Sequence, residues 1–328
     1  MRALVTGATG FLGRHLVERL CLEGEEVRAL ARREAGAEDL AALGARVVTG
    51  DVRRWPSLRD ALEGVDVVYH CAALVSGRGR WTDFLEVNVL GTERVIQAAL
   101  EQGVRRIVHV SSIGVYPERE AGAVIAEDAG YDDNPSRGGY TRSKIWADGL
   151  AFWYARERQA PVTVLRPGTI WGPGGPAKAV RAGVQVGRLD LVFGDGGNVL
   201  PLVYVDNVVD ALVLAARRAE AAGRAYNVVD DERITQRMFR ERLGVVCGRP
   251  SAALYVPLPA LRPLAAGADL AKAALRGGRR TAPGTYSRIT RSLMTMRYDT
   301  SRAKAELGWK PRVDFEEGVS RLRQDRPR

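Results

Sequence analysis

The stretch Thr6-Gly7-Ala8-Thr9-Gly10-Phe11-Leu12-Gly13 follows the apolar run Ala3-Leu4-Val5 and opens a helical pattern carried by Leu12, Leu16 and Leu20. It reads as a strand, a glycine turn and a helix N-terminus. Backbone N–H groups at such a helix start, reinforced by the helix dipole, bind a pyrophosphate, provided that no Cβ holds the phosphates away. Gly7 permits the tight turn, Gly10 the close approach of the phosphates, and Gly13 the close packing of helix on strand. A glycine triplet alone is weak evidence. Its place between a strand and a helix predicts dinucleotide binding, with Thr9, Phe11 and Leu12 in the same cradle.

Outward from this turn, strands alternate with helices. Val27–Leu30, Val47–Val48, Val67–Tyr69, Ile107–Ser111 and Val162–Leu165 are short β-branched runs separated by helix-length segments, which predicts a parallel sheet covered on both faces. After about residue 170 the pattern loosens into Pro/Gly-rich stretches, then returns at Val203–Val205 and Tyr226–Val229. The expected fold is α/β: a Rossmann-type doubly wound parallel sheet over residues 1–170, with returns at about 201–230, and a smaller C-terminal substrate-binding lobe from 171–200 and 231–328. Substrate is expected between the two, outside the carboxyl ends of the strands.

Composition narrows the function. With 328 residues and 46% hydrophobic content, the chain can fill a sizeable core. Its longest apolar runs, such as Asn207 to Ala216, break well before the roughly eighteen residues of a membrane span. Arg2 leads directly into a strand, so no signal peptide is expected. Cys21, Cys71 and Cys247 are odd in number and far apart, which fits reduced thiols and a cytoplasmic location. The net charge of +10 is spread along the chain, only five of the 49 basic residues are lysines, and no aromatic-interleaved basic stripe appears. Nucleic acid is therefore not an expected partner, whereas the charge leaves room for anionic substrates or peripheral contact with lipid headgroups. His15, His70 and His109 lack paired ligand spacing, so no metal is expected.

The chemistry is sought at Tyr140-Thr141-Arg142-Ser143-Lys144. On a helix, residues four apart share a face, so the phenol and the ammonium can enter one pocket, although an ordinary exposed pair has the same spacing. Val110-Ser111-Ser112-Ile113-Gly114-Val115-Tyr116 follows a buried strand and sets the Ser112 hydroxyl at that strand's carboxyl end. Taken alone, Ser112 could equally form a turn.

With these segments, the chain resembles the extended short-chain dehydrogenase/reductase family over nearly its whole length. The resemblance rests on Gly-x-x-Gly-x-x-Gly at 7–13, Gly50-Asp51-Val52, His70-Cys71-Ala72-Ala73, Asn88-Val89-Leu90-Gly91-Thr92, Ser112 and Tyr140-x-x-x-Lys144. It continues through Arg166-Pro167-Gly168-Thr169-Ile170-Trp171-Gly172-Pro173, Val203-Tyr204-Val205-Asp206-Asn207-Val208, and Asp299-Thr300-Ser301 to Leu307-Gly308-Trp309. It implies an NAD(P)-binding Rossmann sheet in which Tyr140 is the acid/base, Lys144 orients the cofactor ribose and Ser112 holds the reacting oxygen. A free tyrosine, with a pKa of about 10, releases its proton reluctantly near neutrality; Lys144 and the positive nicotinamide are expected to stabilise the tyrosinate. The resemblance adds Asp51 and Val52 beside the adenine, Ala72 and Ala73 along the path to the nicotinamide, and Pro167, Gly168 and Ile170 after the sixth strand. Asn88 is expected either in support of the site or as a structural amide. Substrate contacts are expected from Ser76, Ser112, Trp171 and Tyr204, and a homodimer is the expected assembly.

Cofactor choice turns on the end of the second strand. An acidic residue there holds the ribose hydroxyls of NAD and repels the extra phosphate of NADP. This chain instead has Ala29-Leu30-Ala31-Arg32-Arg33, with no carboxylate before Glu34. Two guanidiniums suited to a phosphate favour NADP(H) through Arg32, with NAD(H) as the alternative. The segment 187–209 resembles the 3β-hydroxysteroid and sterol-4-carboxylate dehydrogenase branch, and the arginine after strand two resembles dihydroflavonol-type reductases. Both imply an apolar alcohol or ketone. Thr169 stands where sugar-nucleotide members commonly carry asparagine. Ala252–Ala274, rich in Leu, Ala and Pro, fits either a substrate lid or a core helix. Arg276, Arg279 and Arg280 fit an anion site or a solvated loop. A nucleotide-sugar epimerase or dehydratase, and a non-catalytic NADP sensor, are the alternatives to the ketone/alcohol oxidoreductase.

Overall fold

A computed structural model describes residues 1–324 except 35, 76–78, 118–121, 135–136, 176–182, 187–188, 247–251, 276–284 and 294. Cys247 and the arginines at 276, 279 and 280 lie outside the described residues, as does Ser76. Seven parallel strands form the central sheet: β1 (Arg2–Thr6), β2 (Glu26–Ala31), β3 (Arg46–Thr49), β4 (Val67–His70), β5 (Arg106–Val110), β6 (Val162–Pro167) and β9 (Ala225–Val228). Their spatial order is β9-β6-β5-β4-β1-β2-β3. The chain builds outward from β1 in one direction, then restarts at β4 and builds in the other. The sheet therefore reverses between β1 and β4, and such a reversal opens a crevice at the carboxyl ends of the two strands.

Alternation along the strands assigns each side chain to a face. Ala3 and Val5 join Leu16, Val17 and Leu20 of α1 (Phe11–Leu22) in one core layer, while Leu4 joins Leu58, Leu62, Val95 and Ile96 in the other. Both faces are dry, which explains why β4 and β5 read as unbroken apolar runs rather than as alternating ones. Full burial of each of these Leu, Val and Ile side chains contributes about 1.5–3 kcal/mol. Helix α2 (Leu90–Glu101) connects β4 to β5, and α3 (Gly139–Glu157) connects β5 to β6.

The two expected returns to the sheet part company. Tyr226–Val229 matches β9, the edge strand Ala225–Val228. Val203–Val205 does not join the sheet: β8 (Leu202–Tyr204) pairs with β7 (Thr169–Trp171) in a separate two-stranded ribbon, and Val205 already begins α4 (Val205–Arg217). The cause lies at Gly168, where the chain leaves β6. Thr169 N–H donates to Pro201 O at 2.7 Å, and a Cβ on Gly168 would stand 2.3 Å from that same oxygen. Only glycine lets the backbone turn away so closely. Ala252–Ala274 is likewise neither a simple lid nor one helix; it comprises the strand Ala252–Val256, paired with Leu189–Phe193, and most of the helix Leu258–Leu275.

The C-terminal part is fastened to α4 by one buried amide. Asn207 Nδ2 donates to Asp230 Oδ1 and to Val313 O, both at 2.9 Å, and its Oδ1 accepts from the N–H groups of Arg312 and Val313 at 2.9 and 3.0 Å. Its backbone carbonyl accepts the Trp309 indole N–H at 2.8 Å. Among the described residues, no helix is long and apolar enough to cross a membrane.

Candidate active site

Two groups of residues converge on the carboxyl ends of β1, β4 and β5, and a third lies at the end of β2. The first is the glycine turn. Gly7 has φ +67°, a conformation that L side chains rarely adopt, and a Cβ there would strike the Ala72 backbone nitrogen at 2.7 Å. A Cβ on Gly13 would lie 2.2 Å from Gly7 O, so α1 packs onto the turn only because that position is bare. Gly10 N-caps α1 with no side-chain cap and no acidic residue in the first turn. The N–H groups of that turn are left for an anion. Thr9 and Gly10 are exposed, while Phe11 and Leu12 are half-buried against the neighbouring core.

The second group is catalytic in type. Ser112 lies just past β5, where its Oγ accepts the Gly114 N–H at 3.0 Å, and its hydroxyl is near enough to the Tyr140 phenol to act on it. Lys144, one helical turn further along α3, is 4% exposed, and its Nζ donates to Val110 O at 2.7 Å. Ser112, Tyr140 and Lys144 thus meet at the end of one strand. Burial pulls the Lys144 ammonium down to about 8, against the opposing pull of Asp148 and Cys71. Burial also raises the Tyr140 phenol, with the neighbouring Ser112 hydroxyl acting the other way. In the protein on its own, desolvation therefore outweighs the serine.

Beneath this site lie charged groups that the sequence reading left without a role. Asp148, one turn beyond Lys144, is fully buried and accepts from Arg166 Nε at 2.8 Å. Arg166, 2% exposed, also donates to Tyr116 Oη and Glu127 O at 2.8 Å and to Tyr131 Oη at 3.0 Å. Burial raises the Asp148 carboxyl despite the adjacent guanidinium. The 140, 144, 148 spacing was a readable signal for Asp148, since all three positions share one helix face. His70 and His109 stack with ring centroids 5.3 Å apart, and burial pulls His70 down to about 3. Asn88 lies in a π-helical turn, Leu85–Val89, and is 1% exposed; its amide holds the backbone of Leu74 and the Ser143 hydroxyl.

The third group lies at the end of β2. Arg32 is exposed immediately after Ala31, whose carbonyl accepts the Gly50 N–H at 2.8 Å. Asp51 is close by and is engaged by Arg53 Nη2 at 2.6 Å. That hydrogen bond keeps its carboxyl below the ordinary value, and the charges of Arg53 and Arg32 act in the same direction. Val52 is 6% exposed and packs into the core. Ala72 and Ala73 are half-buried beside Gly7, as are Gly168 and Ile170 beyond the buried Pro167.

Two expected substrate contacts take another role. Trp171 and Tyr204 are 5% and 1% exposed, and their rings meet edge to face at 5.1 Å within a cluster that includes Phe239 and Phe315. They form the aromatic core between the ribbon and α5 (Phe315–Gln324), because three further aromatic or apolar elements close over them.

Comparison with known proteins gives the same picture. The chain is 32% identical over 329 residues to the 4-hydroxy-2-methyl-3-oxo-4-farnesyl-3,4-dihydroquinoline-1-oxide ketoreductase of Stigmatella aurantiaca, covering 100% of this chain and 97% of the relative. It is 30% identical over 342 residues to 3beta-hydroxysteroid-dehydrogenase/decarboxylase isoform 1 of Arabidopsis thaliana, covering 97% and 78%. Among solved structures, MoeE5 in complex with UDP-glucose and NAD superposes with a TM-score of 0.74 at 27% identity, covering 99% of this chain and 98% of that one. Residues 3–228 match the family described as NAD dependent epimerase/dehydratase. The glycine turn, the doubly wound sheet and the full-length relatives agree: the chain belongs to the NAD dependent epimerase/dehydratase family, the extended short-chain dehydrogenases/reductases.

Proposed function

We propose that this chain, an NAD(P)-dependent oxidoreductase of the extended short-chain type, interconverts a ketone and a secondary alcohol on an apolar small molecule, with NADP(H) as its preferred cofactor. The observation that carries the reading is the placing of Ser112 just past β5 beside the Tyr140 phenol, with the buried Lys144 one turn away on the same helix and bonded to Val110 O. The trio stands at the end of β5, across the crevice from an uncapped helix N-terminus. The cradle fits a dinucleotide: Gly7, Gly10 and Gly13 leave it free of side chains, and the first turn of α1 offers its N–H groups to the diphosphate. When bound, the nicotinamide supplies or accepts the hydride.

The protein's own residues handle the proton. Tyr140 gives its phenolic proton to the carbonyl oxygen during reduction, or takes it from the alcohol during oxidation. Ser112, next to that phenol, fixes the oxygen of the substrate beside it. Lys144 favours the tyrosinate by its charge, and with one N–H on Val110 O its remaining donors would be available to hold the cofactor ribose. Arg32 and Arg33 support NADP(H): both are exposed where a carboxylate would exclude the 2′-phosphate, and the Asp51 carboxylate is already taken up by Arg53. The apolar substrate class is supported by the named activities of the ketoreductase and hydroxysteroid relatives. We assign dinucleotide binding to residues 1–170 and about 201–230, and the substrate lobe to 171–200 and 231–328. Exposed Trp146 and Trp153 on α3, 39% and 43% accessible and two turns apart, support a homodimer.

The test is a panel of apolar ketones, β-keto compounds and UDP-sugars with the purified protein, read by NADPH absorbance. Oxidation of added NADPH by apolar ketones, abolished in Tyr140→Phe, supports the reading. Retained NAD and interconversion of a UDP-sugar without net cofactor turnover would replace it with an epimerase.

A further inference from the structure

An unbroken line of buried hydrogen bonds joins the glycine turn to the backbone of Tyr140. It begins at Ala72, the residue against which Gly7 is packed, whose N–H donates to Thr6 Oγ1 at 3.2 Å. Thr6 Oγ1 and His70 Nδ1 are 2.8 Å apart, and His70 Nε2 and Thr92 Oγ1 are 3.0 Å apart. Thr92 Oγ1 donates to Asn88 O at 2.6 Å. From Asn88 the line passes to the side chain, where Nδ2 donates to Ser143 Oγ at 2.8 Å, and Ser143 Oγ donates to Tyr140 O at 2.7 Å. Thr6, His70, Thr92, Asn88 and Ser143 are all at most 1% exposed, so water offers none of them a substitute partner.

The two ends fix every proton between them. The Ala72 N–H can only donate and the Asn88 carbonyl can only accept. Each hydroxyl has a single proton, and that of Thr92 is committed to Asn88 O, so Nε2–H must donate to Thr92; in a ring kept neutral by burial, Nδ1 is then an acceptor and Thr6 donates to it. His70 is thereby locked as the neutral Nε2–H tautomer. Both Asn88 amide hydrogens are likewise committed, one to Ser143 and one to Leu74 O at 3.0 Å, while its Oδ1 accepts the Leu74 N–H at 2.7 Å. Such a line has no slack. Movement at one end orphans a buried polar group unless the other end follows, and an orphaned group is costly.

We infer that His70 is a positioning residue, the hub of a proton-ordered line through which occupation of the diphosphate cradle sets the placement of the first turn of α3 and hence of Tyr140. The π-helical turn at Leu85–Val89 is the device that lets one residue serve both halves, presenting the Asn88 carbonyl to Thr92 and its amide to Ser143. The inference rests on the glycine turn as the dinucleotide site and does not depend on the substrate class.

The experiment uses ADP as the probe, because it ends at the diphosphate and carries neither the nicotinamide nor its ribose. Hydrogen–deuterium exchange is followed in peptides covering residues 139–146, with and without saturating ADP, in wild type, Thr92→Val and Thr92→Ser. In wild type ADP should slow exchange there about fivefold or more, a difference of the size one buried hydrogen bond supports. Thr92→Val, nearly isosteric but unable to receive from His70 or donate to Asn88, should bind ADP within about threefold of wild type and lose the slowing. Thr92→Ser should restore it. If Thr92→Val does not fold, His70→Asn, whose amide can reach Thr6 but not Thr92, cuts the same link. ADP that binds without altering 139–146 in wild type overturns the coupling while leaving the dinucleotide site standing. Undiminished slowing in Thr92→Val or His70→Asn overturns the part given to His70, and absence of ADP binding overturns both the cradle and the coupling.

Discussion

Arg166→Met isolates the buried charge beneath the catalytic helix. In the native chain Asp148 and Arg166 meet at 2.8 Å with side chains 0% and 3% exposed, and the guanidinium supplies three further hydrogen bonds. Methionine fills much of the arginine's volume but leaves the carboxylate without its cation. Removing one partner of a buried pair costs about 3–5 kcal/mol, which for a chain of this size lowers Tm by roughly 6–20 °C. Part of that loss depends on pH. Without Arg166, the folded-state pKa of Asp148 lies even further above its unfolded value, so the variant is relatively stabilised at low pH and loses that contribution as pH rises through the folded pKa. The double variant Arg166→Met/Asp148→Leu removes both charges and should recover to within about 1–2 kcal/mol of wild type. Urea denaturation of all four proteins of the cycle, at about pH 5.5 and about pH 8, reads both effects. A single variant costing less than about 1 kcal/mol, with the double variant additive, would refute the pairing as a stabilising contact.

Three further outcomes follow from the site. Tyr140→Phe should lower turnover by about 10²–10⁴-fold while NADPH binding, followed by fluorescence, stays unchanged. Arg32→Ala should weaken NADPH by about ten- to a hundredfold and leave NADH nearly unaffected, while Ala31→Asp should shift the preference further toward NADH; titration of both reduced cofactors checks this. His15 has Asp206 Oδ1 at 3.0 Å from one ring nitrogen and Pro173 O at 3.1 Å from the other. Burial opposes its charge, yet these acceptors prevail and raise its pKa, so its contribution is full below its unfolded value of about 6.5 and fades as pH rises through the folded one. The Tm difference between wild type and His15→Gln should therefore shrink between about pH 6 and about pH 8.5, and a constant difference would show that the charge is irrelevant.

The legible parts of the fold were those governed by local spacing. The glycine turn is a matter of which positions lack a Cβ, and Gly7, Gly10 and Gly13 take the places the triplet assigned them. Ser112, Tyr140 and Lys144 met because a strand end and a helical i,i+4 step each fix a direction. What stayed hidden depended on partners distant in the chain. Trp171 and Tyr204 look like pocket residues when read beside a glycine- and proline-rich stretch. Phe239 and Phe315, far along the sequence, make them core. The desolvation that raises the Tyr140 phenol had no local signal for a related reason, since surrounding segments bury it.

Asn207 carries a consequence for how the chain is made. Its side chain is answered in part by residues 105 and 106 positions downstream, so while the protein emerges from the ribosome the helix at 205–217 must wait, with a buried amide partly unanswered, until residues 312 and 313 have been made. A product that stops short of residue 309 presents the Asn207 carbonyl, Oδ1 and Nδ2 without the acceptors and donors that residues 309–313 supply. The amide thus ties the final seating of that helix to the arrival of residues 309–313. It also loosens evolutionary demands on what lies between. With both ends of the interval 231–308 pinned to α4 through Asp230 and Trp309, its length and side chains can vary while α4 keeps its place.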